Sequence, residues 1–169
     1  MHHPPFCLTS NDLNGSFTKE QVFNQFGCEG GNTSPQLSWD NAPEGTKSFA
    51  IFMHDPDAPT HGGFWHWAVY NIPASTSSLP AGAGNPENNL LPQGVLMGRA
   101  DAGAHAYCGP CPPPGDFTHR YEITIYALNT EKMDGVDKDT PINQVEFRVV
   151  TEWELARATY TAHFRRKEA

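Results

Sequence analysis

A chain of 169 residues with a formal net charge of −8 and 38% hydrophobic residues holds enough apolar material for one core and is too apolar to stay disordered. The acidic balance excludes the basic stripe of a nucleic-acid surface and argues against docking on anionic membranes through bulk charge. No apolar run reaches the length of a membrane span, and the 15 glycines and 15 prolines, falling between short apolar runs, point to many turns and few long helices.

In chain order, Met1 to Pro5 shows no basic region followed by an apolar run, which favours a cytoplasmic home and leaves a periplasmic or secreted one open. Residues 6–17 read as a strand and turn, with Asn14-Gly15 as the turn signal. Thr18 and Gln21 have the spacing of a helix N-cap, and Val22, Phe23 and Phe26 supply an apolar face, so a short helix is expected before the glycine-rich loop 27–32. Leu37 to Trp39 is a short strand candidate. Ser48 to His54 is apolar on both faces and belongs inside a sheet.

Phe64 to Asn71 reads as another strand, with His66, Ala68 and Tyr70 on one face and Trp65, Trp67 and Val69 on the other. Residues 73–94 form a long loop. His119 to Leu128 alternates, placing Tyr121, Ile123, Ile125 and Ala127 on a buried side. Ile142, Val145, Val149 and Trp153 recur at helical spacing, so a helix is expected over 141–156, followed by a closing strand over 158–164. With no repeat and no linker, the pattern is one mainly β domain over 1–169, a sandwich of antiparallel sheets with one or two flanking helices.

Three features carry chemistry. Asp55-Pro56-Asp57-Ala58-Pro59 puts two carboxylates at the end of a buried strand, in a backbone stiffened by proline; taken alone it is also an ordinary acidic turn. His66 and His119 each sit near the end of an aromatic-rich strand. Oriented by Asp55, two imidazoles in a cleft offer N–H donors to a phosphate or carboxylate, and their anion affinity should then rise as pH falls through about 6.5. Gly109 to Gly115 is a rigid loop whose prolines can include cis bonds and whose glycines permit close approach to a ligand.

Together these motifs resemble the phosphatidylethanolamine-binding protein family, which includes the Raf kinase inhibitor proteins. The resemblance rests on Asp55 to Pro59, on Trp65-His66-Trp67 with Asn71, and on Gly109 to Gly115 followed by His119-Arg120-Tyr121. Thr9 to Leu13, and Asn32-Thr33-Ser34-Pro35 with Trp39, resemble its bacterial and archaeal branch, and the likeness runs from about residue 8 to 165. It implies a sandwich with a phosphate-sized pocket formed by Asp55, His66 and His119. Gly109, Pro112, Pro113 and Tyr121 would form its wall. Asp57 and Arg120 would pair and brace the two loops. In this family a C-terminal helix can lie near the pocket mouth.

The function expected is a binding or regulatory module for a small anion, phosphate or a phosphoethanolamine-like head group, acting as an inhibitor or modulator of a partner protein. No cofactor or metal is called for. A protein partner and a homodimer are both compatible with the sequence. Three rivals exist. Cys108-Gly109-Pro110-Cys111 has the thioredoxin spacing, but the prolines after it forbid the required helix. His105, Cys108, Cys111 and His119 could supply four zinc ligands, though not at finger-like spacing. A hydrolase could use the Asp/His set, but no nucleophile motif of the G-x-S-x-G kind is present. The four cysteines read either as free thiols or with one disulfide joining Cys28 to Cys108 or Cys111.

Overall fold

A computed structural model describes residues 4–167. Two antiparallel sheets face each other across the main core. The smaller has the order β1-β2-β5, with β1 Cys7–Thr9, β2 Leu37–Asp40 and β5 Ser78–Leu79. The larger has the order β6-β4-β3-β7-β8, with β3 Ser48–Asp55, β4 Phe64–Pro73, β6 Leu96–Met97, β7 His119–Leu128 and β8 Glu154–Phe164.

The double-sided apolar character of β3 follows from its place at the centre of the larger sheet. Phe49, Ile51 and Met53 point into the core between the sheets, with Leu37 and Trp39 facing them and Tyr121, Ile123 and Ile125 alongside on β7. Ala50 and Phe52 point the other way, into a second cluster capped by Ile142, Val145 and Val149. A strand covered on both faces has no position left for a solvated side chain.

Three local expectations change. The segment from Thr18 keeps its cap, since Thr18 N and Oγ1 both donate to Gln21 Oε1 at 2.8 and 2.9 Å, but no helix grows from it. Its backbone is spent elsewhere: Phe23 N donates to Pro110 O, and Gly30 N to Phe23 O. Long-range bonds have outcompeted a short helix, which is marginal in isolation.

Near the C-terminus, α1 covers only Ile142–Arg148, and a single π-helical turn, Val149–Trp153, follows. The apolar residues at helical spacing do bury, but the chain leaves the helix early because Glu154 already pairs with Leu128. The closing strand therefore starts four residues before the expected 158, and its inward positions Ala158, Tyr160, Ala162 and Phe164 pack on the main core. The helix lies on the far face of the larger sheet and contributes no residue to the pocket described below. The loop 73–94 is also less irregular than its composition suggests, since it contains β5 and a 3₁₀ turn at Pro86–Asn88.

Candidate functional site

A cavity of about 270 Å³ opens at the end of the sandwich where β3 ends and β7 begins. Asp55 is the last residue of β3 and His119 the first of β7, so the antiparallel pairing of these strands puts them side by side. His119 Nδ1 donates to Asp55 Oδ2 at 2.7 Å, and Asp55 Oδ1 accepts from Asp57 N at 2.8 Å. Both oxygens of this buried carboxylate are thus engaged, as burial of charge demands.

His66 reaches the same cavity by a different device. Met53 pairs with Trp67 but His54 pairs with Trp65, so His66 is the extra residue of a β-bulge. The bulge overturns the simple alternation expected for β4. Ala68 and Tyr70 pack beneath α1 together with Trp65, while Trp67 and Val69 fill the main core. His66 faces the core side with Trp67, its ring edge-on to Tyr121 at 5.2 Å. Without the bulge the imidazole would point at the helix layer.

The two histidines are electrostatic opposites. Residue 108 clamps His66 in both directions: Cys108 N donates to His66 O at 2.9 Å, and His66 Nδ1 donates to Cys108 O at 2.7 Å. Burial then drives the ring pKa down to about 4, against the pull of that carbonyl and of Asp55. At neutral pH His66 is an uncharged imidazole whose Nε2 carries a lone pair. For His119 burial also opposes charge, but hydrogen bonds to Asp116 and Asp55 outweigh it, so its pKa lies above the usual 6.5. Its Nε2 donates to Asp116 Oδ2 at 2.8 Å. Asp55 therefore orients one imidazole rather than both, and only one ring is poised to be cationic.

The remaining expected residues converge here as well. Gly109, Pro112, Pro113 and Tyr121 line the cavity. The role of Gly109 differs from the expected approach to ligand: a Cβ there would collide with Gln21 O and lie 2.6 Å from Phe23 N. The glycine lets the 108–111 loop press against the backbone of residues 21–23. No cis peptide bond occurs among the described residues. Asp57 and Arg120 form a bidentate pair, with Nε to Oδ2 at 3.0 Å and Nη2 to Oδ1 at 2.9 Å, and Asp57 also accepts from Arg120 N. The Arg120 bonds hold the Asp57 carboxyl down at about 2. This pair joins the loop after β3 to the start of β7.

Sequence reasoning missed three contributors. Asp116 lies on His119, as described above. Arg166, just beyond β8, lines the cavity and has no carboxylate partner among the described residues. Phe23, Phe26 and Phe64 supply apolar wall. The apolar run around Phe23 was visible, but nothing in it signalled that Phe26 would meet Cys111, 85 residues further along the chain, across a cavity.

Of the disulfide alternatives the structure has Cys28–Cys111, with Cys7 and Cys108 free. The bridge ties the wall carrying Phe23 and Phe26 to the proline wall. Cys108 is a buried thiol pushed up to about 12 by desolvation and by Asp101, the opposite of an activated redox cysteine. Three of the four groups weighed as zinc ligands are committed elsewhere: Cys111 to the disulfide, His105 to Asp139 at 2.9 Å, His119 to its two carboxylates.

Comparison with known proteins places this geometry in context. The profile of the phosphatidylethanolamine-binding protein family matches residues 14–165. The UPF0098 protein YbcL of Escherichia coli strain K12 is 51% identical over 130 residues, covering 76% of this chain and 71% of that one. The UPF0098 protein YbhB of the same strain is 46% identical over 159 residues, covering 93% and 98%. The crystal structure of E. coli YbcL, described as a new member of the mammalian PEBP family, superposes with a TM-score of 0.91 at 44% identity, covering 96% of this chain and 99% of that one.

Proposed function

The chain belongs to the phosphatidylethanolamine-binding protein family, and from that premise we propose that its cavity reversibly binds a small acidic group, a phosphate monoester or a phosphorylated head group. The observation that carries this reading is the convergence on one cavity of a protonatable His119, a neutral His66 and Arg166, which contacts Cys111 Sγ at 3.7 Å and has no carboxylate partner among the described residues. A monoanionic phosphate monoester matches this set: one P–O⁻ accepts from His119 Nε2–H and Arg166, and one P–OH donates to His66 Nε2. The phenylalanine and proline walls, and a volume just under the common range of about 300–1,000 Å³ for ligand sites, suit a phosphate carrying an organic group.

Binding is favoured over catalysis because, among the described residues, no hydroxyl or thiol is hydrogen-bonded to either imidazole, as a nucleophile would be to its general base. A modulator of a partner protein is the biological setting that suits a binder. The Cys28–Cys111 disulfide supports a home in an oxidising compartment over the cytoplasm.

Isothermal titration tests the reading. Inorganic phosphate, phosphoethanolamine and a phosphodiester head group are titrated into wild type and Arg166→Ala, a rim substitution that leaves the buried pair intact. The monoester should bind best and weaken about tenfold in the variant, the loss expected of one charge-assisted contact. No saturable heat from any of the three with wild type would refute it.

A further inference from the structure

We propose that Asp116 is an internal occupant of the acid position: its carboxylate sits on His119 Nε2 where a ligand's anionic oxygen binds, and ligand entry exchanges one anion for the other. The inference rests on the binding reading above and adds to it a residue that sets which ligands are admitted.

The two carboxylates on His119 are held very differently. Asp55 is 2% exposed, at a strand end, with both oxygens bonded inside the fold. Asp116 lies in the loop before β7, its side chain 31% exposed. Apart from His119 its side chain bonds only the adjacent Phe117 N, at 3.0 Å. Its backbone N reaches Pro113 O across a turn in which Gly115 takes φ +75°. Releasing Asp116 returns a carboxylate to water, where it is well solvated, and breaks no secondary structure. Releasing Asp55 would strand a charge in the core. Exchange at Nε2 is therefore the step open to the folded protein.

Charge bookkeeping points the same way. Asp55, His119 and Arg166 line the cavity and Asp116 is bonded to His119; with His119 protonated these four groups sum to zero. With Asp116 in place an added anion has no uncompensated positive partner. With Asp116 swung out, the site carries one net positive charge and one free imidazolium N–H, the complement of a single acidic oxygen. A ligand lacking such an oxygen cannot replace what it displaces, so Asp116 selects acids. Phe117, 58% exposed, follows Asp116 in the chain and sets its ring at a tilt to His119, 5.1 Å between centroids.

The test is Asp116→Asn, a substitution at an exposed loop position. If the carboxylate occupies the site about nine-tenths of the time, its removal should tighten inorganic phosphate about tenfold, with phosphoethanolamine tightened in parallel. A crystal of wild type soaked in phosphoethanolamine should show Asp116 turned away and a phosphate oxygen on His119 Nε2. Binding with the Asp116–His119 bond still in place, or equal affinities in the two proteins, overturns this inference and leaves the binding reading standing. Failure of both proteins to bind phosphate or phosphoethanolamine overturns both.

Discussion

Asp55 and His119 meet at 2.7 Å across 64 residues of sequence, Oδ2 to Nδ1, with side chains only 3% and 1% exposed. This pair locks the end of β3 to the start of β7 and commits Nδ1 of His119 to Asp55, leaving Nε2 to Asp116.

Replacing Asp55 with asparagine should be costly, because it takes from a buried imidazole the buried one of its two counter-charges. Breaking one partner of a buried pair costs about 3–5 kcal/mol. Urea denaturation should show a loss of that order, and the His119 ring should titrate at lower pH by NMR. A loss below about 1 kcal/mol, the range of an exposed pair, would show that the two groups are not held as described.

The two histidines predict opposite limbs of a stability–pH curve. His66, buried and neutral, has a folded pKa near 4 against 6.5 unfolded. The unfolded chain binds its proton first, so stability is full above 6.5 and falls as pH drops toward 4, by at most about 3 kcal/mol. His119, with its pKa raised, contributes stability that is complete below 6.5 and lost as pH rises through its folded value. His66→Asn, whose amide can still donate to Cys108 O, should flatten the acid limb alone. An unchanged slope between pH 6.5 and 4 would remove His66 as its source.

Reducing the Cys28–Cys111 bridge frees a loop with 83 residues of sequence separation. On chain-entropy grounds this costs about 4–5 kcal/mol. Denaturation midpoints with and without dithiothreitol should differ accordingly, and Cys28→Ser should respond to reductant no further. Because the bridge joins two cavity walls, phosphate binding should weaken in the same samples. Identical midpoints would indicate that folding does not depend on the bridge.

Gly109→Ala should destabilise through backbone contact rather than through lost ligand contact. The added Cβ runs into Gln21 O and Phe23 N, neither of which can rotate away. Overpacking of this kind costs about 1–3 kcal/mol. Thermal unfolding measures it, and a variant as stable as wild type would show that the 21–23 segment can yield.

Much of this architecture was legible along the chain. The alternation of Tyr121, Ile123, Ile125 and Ala127 marked β7, and the unbroken apolar run of 48–54 marked the central strand, because a side chain's face is set by its position within its own strand. The Asp55, His66 and His119 set was legible through its motifs. Where local signals failed, long-range bonds had replaced them: the capped turn at Thr18 surrendered its backbone to Pro110, and Glu154 joined Leu128 before the helix could finish.

The sequence by itself determined a β-sandwich and named residues that meet around the cavity at one end of it. Only the tertiary structure decided what those residues are chemically. A bulge turned His66 toward the core side, and burial there made it a neutral acceptor, while Asp55, brought from the end of β3, and Asp116, three residues before His119, raise the pKa of the His119 ring. Strand identity depends on neighbours in the chain, whereas the protonation of His66, the disulfide partner and the place of Arg166 on the cavity wall depend on groups that become neighbours only in space.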